Sequence, residues 1–174
     1  MNLRQFQESD AEAAARVYRD AAIAIGREAY DAEQVKVWAL YPDDIEEFRS
    51  RLSRGLTVVA QEAEETVAFG QLDPPDHIAF LYCASGFSRR GIASAIYDQL
   101  EQQAVARGVS TLTTDASRVS RSFFEKKGFA VIAVEHPLRL GVEFERFRMT
   151  KKIKVNPMPQ PITGLGNVRH AHDL

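Results

Sequence analysis

A single cysteine, Cys83, stands among 174 residues, so no intramolecular disulfide can form and no thiolate metal cluster can assemble. Long apolar runs are missing as well. Nothing approaches the ~18 consecutive apolar residues that a membrane span requires, and no membrane partner is expected. The net charge is small, −2 at pH 7, which excludes the basic field that drives nonspecific nucleic-acid binding. An anionic ligand would have to be held by local positive potential. The four histidines, His77, His136, His170 and His172, lack zinc-ligand spacing, so no metal is expected. Met1–Asp10 is polar, with no apolar signal core, and the expected location is cytoplasmic.

What is present is ordinary globular usage, 45% hydrophobic and 26% charged. A chain of this length buries roughly two-thirds or more of its unfolded surface, so one domain closes a core without staples. Asn2–Phe6 reads as a short first strand. Ser9 or Asp10 then caps a helix whose stripe is Ala14, Val17, Tyr18, Ala21 and Ile25. Further helices are expected over Asp31–Leu40 and from Pro42-Asp43-Asp44 to Gly55. Leu56–Gln61 and Thr66–Leu72 read as a hairpin around the acidic turn Glu62–Glu65.

The run His77–Cys83 is mostly apolar, as in a strand covered on both faces. Ser88–Arg107 is the clearest helix, with stripe Ile92, Ala93, Ile96, Tyr97, Leu100 and Ala104 and a stop at Gly108. Thr111–Ala116 is a strand, and Ser117 caps a short helix carrying Phe123 and Phe124. Phe129–Glu135 and Val142–Met149 finish the sheet. Val142 and Phe144 share one parity and Phe147 and Met149 the other, so a bulge is expected between Phe144 and Phe147. The domain is placed at residues 1–153, and residues 154–174, interrupted by Pro157, Pro159, Pro161 and Gly164, read as an extended tail.

Chemistry concentrates where a buried strand leaves through a short loop into that strong helix, at Leu81-Tyr82-Cys83-Ala84-Ser85-Gly86-Phe87-Ser88-Arg89-Arg90-Gly91-Ile92-Ala93. The first helical N–H groups have no intrahelical acceptors, and the helix dipole makes that end partly positive. Gly91 lets an anion approach the backbone with no Cβ in the way, while Arg89 and Arg90 add charge. Together these make a pyrophosphate cradle. By itself the segment is equally a basic loop that merely starts a helix. No Gly-Lys-Ser/Thr follows, which excludes a Walker loop, and one glycine fits a Rossmann turn poorly.

Ser88-Arg89-Arg90-Gly91-Ile92-Ala93 resembles the acetyl-CoA motif of GNAT acetyltransferases, Gln/Arg-x-x-Gly-x-Gly/Ala, with serine at the first position. Downstream, Thr113–Ser117 and then Ser122-Phe123-Phe124-Glu125-Lys126-Lys127-Gly128-Phe129 is similar to the family's strand, helix and Tyr-Glu-Lys-x-Gly-Phe signature. The likeness spans roughly residues 1–152. It implies an α/β fold with a mixed, mostly antiparallel sheet of about seven strands, flanked by helices, whose fourth and fifth strands splay apart.

It also implies an N-acetyltransferase that passes an acetyl group from acetyl-CoA to a primary amine of a small molecule, with no metal, as a monomer or a homodimer. A module of the same fold that binds acyl-CoA without transfer is the alternative. Leu81, Tyr82 and Cys83 would hold the pantetheine arm, with the Cys83 amide on the thioester carbonyl. The Cys83 side chain itself reads as a small core residue. Ser88, Arg89, Arg90, Gly91, Ile92, Ala93 and Ser94 would hold the pyrophosphate, with Ser117 and Phe124 beside the cofactor.

Phe124 stands where many relatives carry a proton-donating tyrosine, so Tyr82, Ser117 or water must serve instead. Positions 78–81 hold no carboxylate, which leaves Asp115, with Glu33 behind it, to take the ammonium proton. Tyr30, Gln34 and Trp38 are the candidates for the wall of the acceptor pocket.

Overall fold

The computed structural model describes residues 1–155. Its elements run β1 (Asn2–Gln5), α1 (Ala11–Ala24), α2 (Ala32–Ala39), α3 (Ile45–Leu52), β2 (Leu56–Glu62), β3 (Glu65–Leu72), β4 (His77–Cys83), α4 (Ile92–Ala106), β5 (Thr111–Ala116), α5 (Arg121–Lys126), β6 (Ala130–Glu135), β7 (Leu138–Arg139), β8 (Val142–Glu143) and β9 (Arg146–Lys152). Seven strands form one sheet in the order β1-β2-β3-β4-β5-β9-β6, and β7 with β8 makes a separate small hairpin. Every neighbouring pair in the large sheet is antiparallel except β4 with β5. The mixed, mostly antiparallel sheet expected from the sequence is the one observed.

Two apolar clusters, one on each face, hold the layers together. Ala14, Val17, Tyr18 and Ala22 of α1 and Phe48 and Leu52 of α3 pack on Val59, Phe69 and Phe80. On the opposite face Ile92, Ile96, Tyr97, Leu100 and Ala104 of α4 meet Val58, Ala68, Leu112, Phe124 and Met149. The first-turn acids explain where two of the helices begin. Asp31 Oδ1 accepts the Gln34 N–H at 2.8 Å while Gln34 Oε1 accepts the Asp31 N–H at 3.0 Å, a reciprocal cap for α2. Asp44 caps α3 by accepting the Glu47 N–H at 3.1 Å. Asp10, before α1, is gripped by Arg4 at 2.7 Å, which holds its carboxyl below the usual carboxylate range.

Three expectations are corrected. The long helix begins at Ile92, not Ser88, because Arg89 (φ 60°) and Gly91 (φ 80°) take left-handed conformations that no α-helix accommodates. The short helix begins at Arg121. Ser117 instead caps the turn before it, accepting the Ser120 N–H at 3.1 Å. Val142–Met149 is not one bulged strand: Val142 and Glu143 pair with β7, whereas Arg146 onward pairs with β5 and β9's other neighbour β6. The parity change arises because two ladders with independent registers share that stretch. Of the expected tail, residues 156–174 lie outside the described residues. Among the described residues no helix is long and apolar enough to cross a membrane.

Gly70 of β3 sets how closely α4 approaches. A Cβ there would lie 2.7 Å from Ile96 Cγ2 and 3.1 Å from Leu100 Cδ1. Gly70→Ala should therefore push α4 off the sheet and lower stability by about 1–3 kcal/mol, seen as a Tm drop of several degrees. An unchanged Tm in a thermal melt would show that the helix seat yields freely.

Candidate active site at the parting of strands β4 and β5

Strands β4 and β5 run side by side for two residues only, His77 opposite Thr113 and Ile78 opposite Thr114. Thr113 N–H donates to Asp76 O at 2.8 Å and Thr114 Oγ1–H to Ile78 O at 3.0 Å, and there the ladder stops. Each strand keeps its other neighbour. β3 follows β4 as far as Cys83, and β9 follows β5 throughout. Ala79, the next residue of β4, is extra in its ladder, with Leu72 opposite Ile78 and Gln71 opposite Phe80. A bulge bends its strand. The bend lies immediately past the last β4–β5 pair, so the strands diverge into a V that opens toward Cys83 and Ala116.

The ladder also decides which backbone groups face the gap. Ala84 N–H donates to Val67 O at 2.9 Å. Antiparallel alternation then commits Tyr82 and Phe80 to β3 and turns the N–H and C=O of Leu81 and Cys83 into the V. Of the three expected arm-binding residues, Leu81 and Cys83 present backbone, whereas Tyr82 presents its side chain on the α1–α3 face. Burial pushes the Cys83 thiol up to about 11, so it stays protonated near neutrality.

Beyond Cys83 the chain makes a short turn, Ser85–Phe87, steadied by Ser85 N–H donating to Asp20 Oδ2 at 2.5 Å and Ser88 Oγ–H to Ser85 O at 2.9 Å. Helix α4 then starts without a side-chain cap. Its first intrahelical bond is Ala95 N–H to Gly91 O, 3.0 Å, which leaves the N–H groups of Ile92, Ala93 and Ser94 without helical acceptors. A Cβ on Gly91 would meet nothing within 4 Å, so the space above the turn is open. Around it stand Arg89, Arg90 (3.3 Å from Glu62 and stacked on Phe87) and Lys127, whose ammonium donates to Ser94 Oγ at 2.5 Å and pairs with Asp98 at 2.8 Å. Lys127 is a cation that sequence spacing did not associate with this turn.

On the other arm Ser117 Oγ and Ser120 Oγ lie 3.1 Å apart at the end of β5. Phe124 is buried in the α4-side core, with its ring 5.3 Å from Phe129 and 6.4 Å from Tyr97. At the apex, His77 Nδ1 lies 2.8 Å from Thr113 Oγ1, and its Nε2 lies 4.0 Å from Asp115 Oδ2. Asp115 also has Arg148 Nε at 3.9 Å. Burial lowers the His77 pKa, against the opposing pull of Asp115 and Asp76 and with Arg51 and Arg146 adding to the lowering. Sequence reading set His77 aside for want of zinc spacing. The parallel register that joins it to Thr113 and Asp115 is not visible in a linear chain.

Above the α1–α3 face lies a continuous aromatic group. Trp38 Nε1–H donates to the Tyr82 hydroxyl at 3.2 Å, Tyr18 packs on Tyr82 at 4.4 Å, and Tyr18 stacks on Tyr41 at 5.5 Å. Burial raises the Tyr82 pKa despite the hydrogen bond from Trp38. Trp38 thus belongs to this aromatic group, whereas Tyr30 and Gln34 hydrogen-bond to neighbouring segments. The Tyr30 hydroxyl accepts Arg118 N–H at 3.0 Å and donates to Glu145 O at 3.3 Å. Gln34 Nε2–H donates to Glu143 O at 2.9 Å, fastening the β7–β8 hairpin to α2. Tyr18 entered the sequence reading only as part of a helix stripe, and Tyr41 and Arg139 of this group carried no signal. Two other clefts, at Gln5–Glu8 with Leu52–Thr57 and at Pro75–Asp76 with Gly108–Thr111, touch none of these residues. Among the described residues no cluster of His, Cys, Asp and Glu could hold a metal.

Comparison with known proteins agrees with this geometry. The family model described as "Acetyltransferase (GNAT) domain" matches residues 27–151. A curated relative, the N-acetyltransferase YafP of Escherichia coli K12, is 26% identical over 153 residues, covering 87% of this chain and 96% of YafP. A GCN5-related N-acetyltransferase crystal structure from Rhodopseudomonas palustris superposes with a TM-score of 0.85 at 32% identity, covering 87% of this chain and 95% of that one. The PaiA N-acetyltransferase of Thermoplasma acidophilum, solved with coenzyme A, has the same fold at a TM-score of 0.70 and 20% identity, over 87% and 98% of the two chains.

Tyr30 is buried and uses both capacities of its hydroxyl. Tyr30→Phe should leave the Arg118 N–H and Glu145 C=O unpartnered and destabilise the protein by about 1–3 kcal/mol. A urea titration with a lower midpoint and an unchanged slope would bear this out.

Proposed function

The chain belongs to the GNAT acetyltransferase family, and from that premise we propose that it is an acetyl-CoA-dependent N-acetyltransferase acting on a primary amine of a small molecule. The observation that carries this reading is the V between β4 and β5, with the uncapped start of α4 at its mouth. An extended ligand arm fits the first and a diphosphate the second. When bound, acetyl-CoA supplies the acyl group: the amine nitrogen bonds the carbonyl carbon, the C–S bond breaks, and the thiol leaves with a proton.

The chain's own residues then divide the work. The N–H groups of Arg90, Gly91, Ile92, Ala93 and Ser94 hold the diphosphate, with Arg89 and Lys127 adding charge. Cys83 and Leu81 bond the arm as an added strand would. Because the arm enters from the α4 end, Leu81 lies deeper than Cys83, and its N–H is the donor best placed to polarise the thioester carbonyl. Ser117 and Ser120 line the opposite arm of the V.

His77 serves as the general base. It stands at the apex with Thr113 on one nitrogen and Asp115 near the other, and four residues of strand, roughly 13 Å, separate it from Leu81, so the ammonium proton reaches it through water. Its lowered pKa keeps the imidazole neutral and able to accept. Asp115 acts on His77, not on the amine. The Tyr82 hydroxyl accepts a hydrogen bond from Trp38, so its own proton is free to donate, and its raised pKa keeps that proton in place until the thiolate forms. That compensates for Phe124, which has no proton to give.

Two substitutions test the reading. Gly91→Glu puts a carboxylate into the anion space, and titration calorimetry with CoA should then detect no binding, whereas retained affinity would refute the cradle. Binding by the parent protein with no thiol release for any amine would reduce the function to an acyl-CoA-binding module. His77 must lose its proton to act, so kcat/KM should fall as pH drops through a value below the ordinary ~6.5 of histidine. His77→Ala should lower kcat by about 100-fold or more and erase that acid limb. A limb that survives the substitution would place the base elsewhere.

A further inference from the structure

Resting on the transferase reading, we infer that Arg139 selects the acceptor: the preferred amine carries a carboxylate, as an amino acid does, and the Arg139 guanidinium binds it. Three observations lead there. The β7–β8 hairpin is pinned over α2 through Gln34 and lies beside Tyr30, so its position over the aromatic group is fixed by side chains of the fold. Strand alternation in β7 turns Leu138 to solvent and Arg139 inward, and the turn residue Leu140 is exposed as well. Its guanidinium lies 4.4 Å from the centre of the Tyr41 ring, next to Tyr18 and Tyr82.

The third observation concerns partners. Other cations around this face are paired, Arg118 with Glu145 at 3.0 Å, Arg146 and Arg148 with Glu135 at 2.7 and 3.0 Å, and Arg19 with Asp43 at 3.1 Å. Arg51, 5.9 Å from the centre of the Phe80 ring, also has no carboxylate partner among the described residues, but it stacks on Phe80 rather than on the Tyr41 ring. Among the described residues no carboxylate lies within 4.0 Å of Arg139. A guanidinium stacked on an aromatic face is held in orientation and partly stripped of water while its N–H edge remains available. Guanidinium and carboxylate match as a two-pronged pair, so this edge suits a carboxylate at one end of a ligand whose amine reaches toward the V. The apolar sides of Tyr18, Trp38, Tyr41 and Tyr82 would cover what lies between. A polyamine acceptor would meet the wrong charge here.

Two readouts on the full chain test this. Thiol release from acetyl-CoA is followed with amino acids and with the matching amino amides, and rates are compared per concentration of free amine because the amide also lowers the basicity of the α-amine. The acid should be favoured by about 10- to 100-fold in kcat/KM, the range expected for a hydrogen-bonded charge. Arg139→Gln should shrink that ratio toward one, mainly through KM, and Arg139→Lys should restore part of it. Binding is followed separately through Trp38, the single tryptophan, whose fluorescence should respond to the acid in the CoA-loaded protein and fail to respond in Arg139→Gln.

If the acid binds but no thiol appears, the transferase reading fails and the role of Arg139 stands. Acid and amide handled alike by the parent protein, in turnover and in Trp38 fluorescence, would overturn the role of Arg139 even if transfer is robust. So would an Arg139→Gln variant that weakens acid and amide equally, because that is what a merely structural stack on Tyr41 would do.

Discussion

Nearly everything in the candidate site depends on one backbone fact: two parallel strands hydrogen-bond for two residues and then part. Inside a sheet, an N–H and a C=O with no partner are expensive to bury, so a gap of this kind invites something that can pair with them. Here the open groups are those of Leu81 and Cys83, selected by the register of β4 on β3. The bulge at Ala79 and the continuous β5–β9 ladder pull the strands apart from opposite sides. Neither requires a ligand to be present, so the opening is built into the chain.

The second constraint is where α4 begins. Left-handed backbone at Arg89 and Gly91 ends the loop and turns the helix axis so that its first amides face the mouth of the V. A side-chain cap would have used these donors up, and none is there. Gly70 allows the same helix to sit close against the sheet, which ties the anion-binding end to the core packing of Ile96 and Leu100. Stability and binding therefore share one element.

The opposite face works differently. Its residues come from α1, the α1–α2 connection, α2, β4 and the small hairpin, and they meet only because side chains bridge those segments. Tyr30 and Gln34 are the bridges, using hydrogen bonds to Glu145 and Glu143 backbone to fix the hairpin. That arrangement brings Arg139 over Tyr41 and leaves it without a carboxylate, whereas Arg118 and Arg146 on this face are paired. The polar apex, His77 with Thr113 and Asp115, lies on this side too, so the proposed base and the proposed acceptor position share one surface.

Local signals in the sequence determined the elements and the uncapped turn proposed as the anion cradle, because caps, periodicity and the loop Ser85–Gly91 act over a few residues. Asp31, Asp44 and the α4 stripe announce their helices, and Gly91 announces the turn, without reference to anything distant. The exact start of α4 was not legible, since left-handed backbone at Arg89 and Gly91 interrupts the helix in a loop whose Ser85 is held by Asp20 and whose Arg90 is held by Glu62, both on other segments. The split of Val142–Met149 was not legible either, because a parity change looks the same whether a strand bulges or changes partner. Only the tertiary structure could join His77 to Asp115, place Arg139 above Tyr41, and give the Tyr30 hydroxyl its partners at Arg118 and Glu145. Each of these depends on which strands pair and in what register, and register is a property of the assembled sheet.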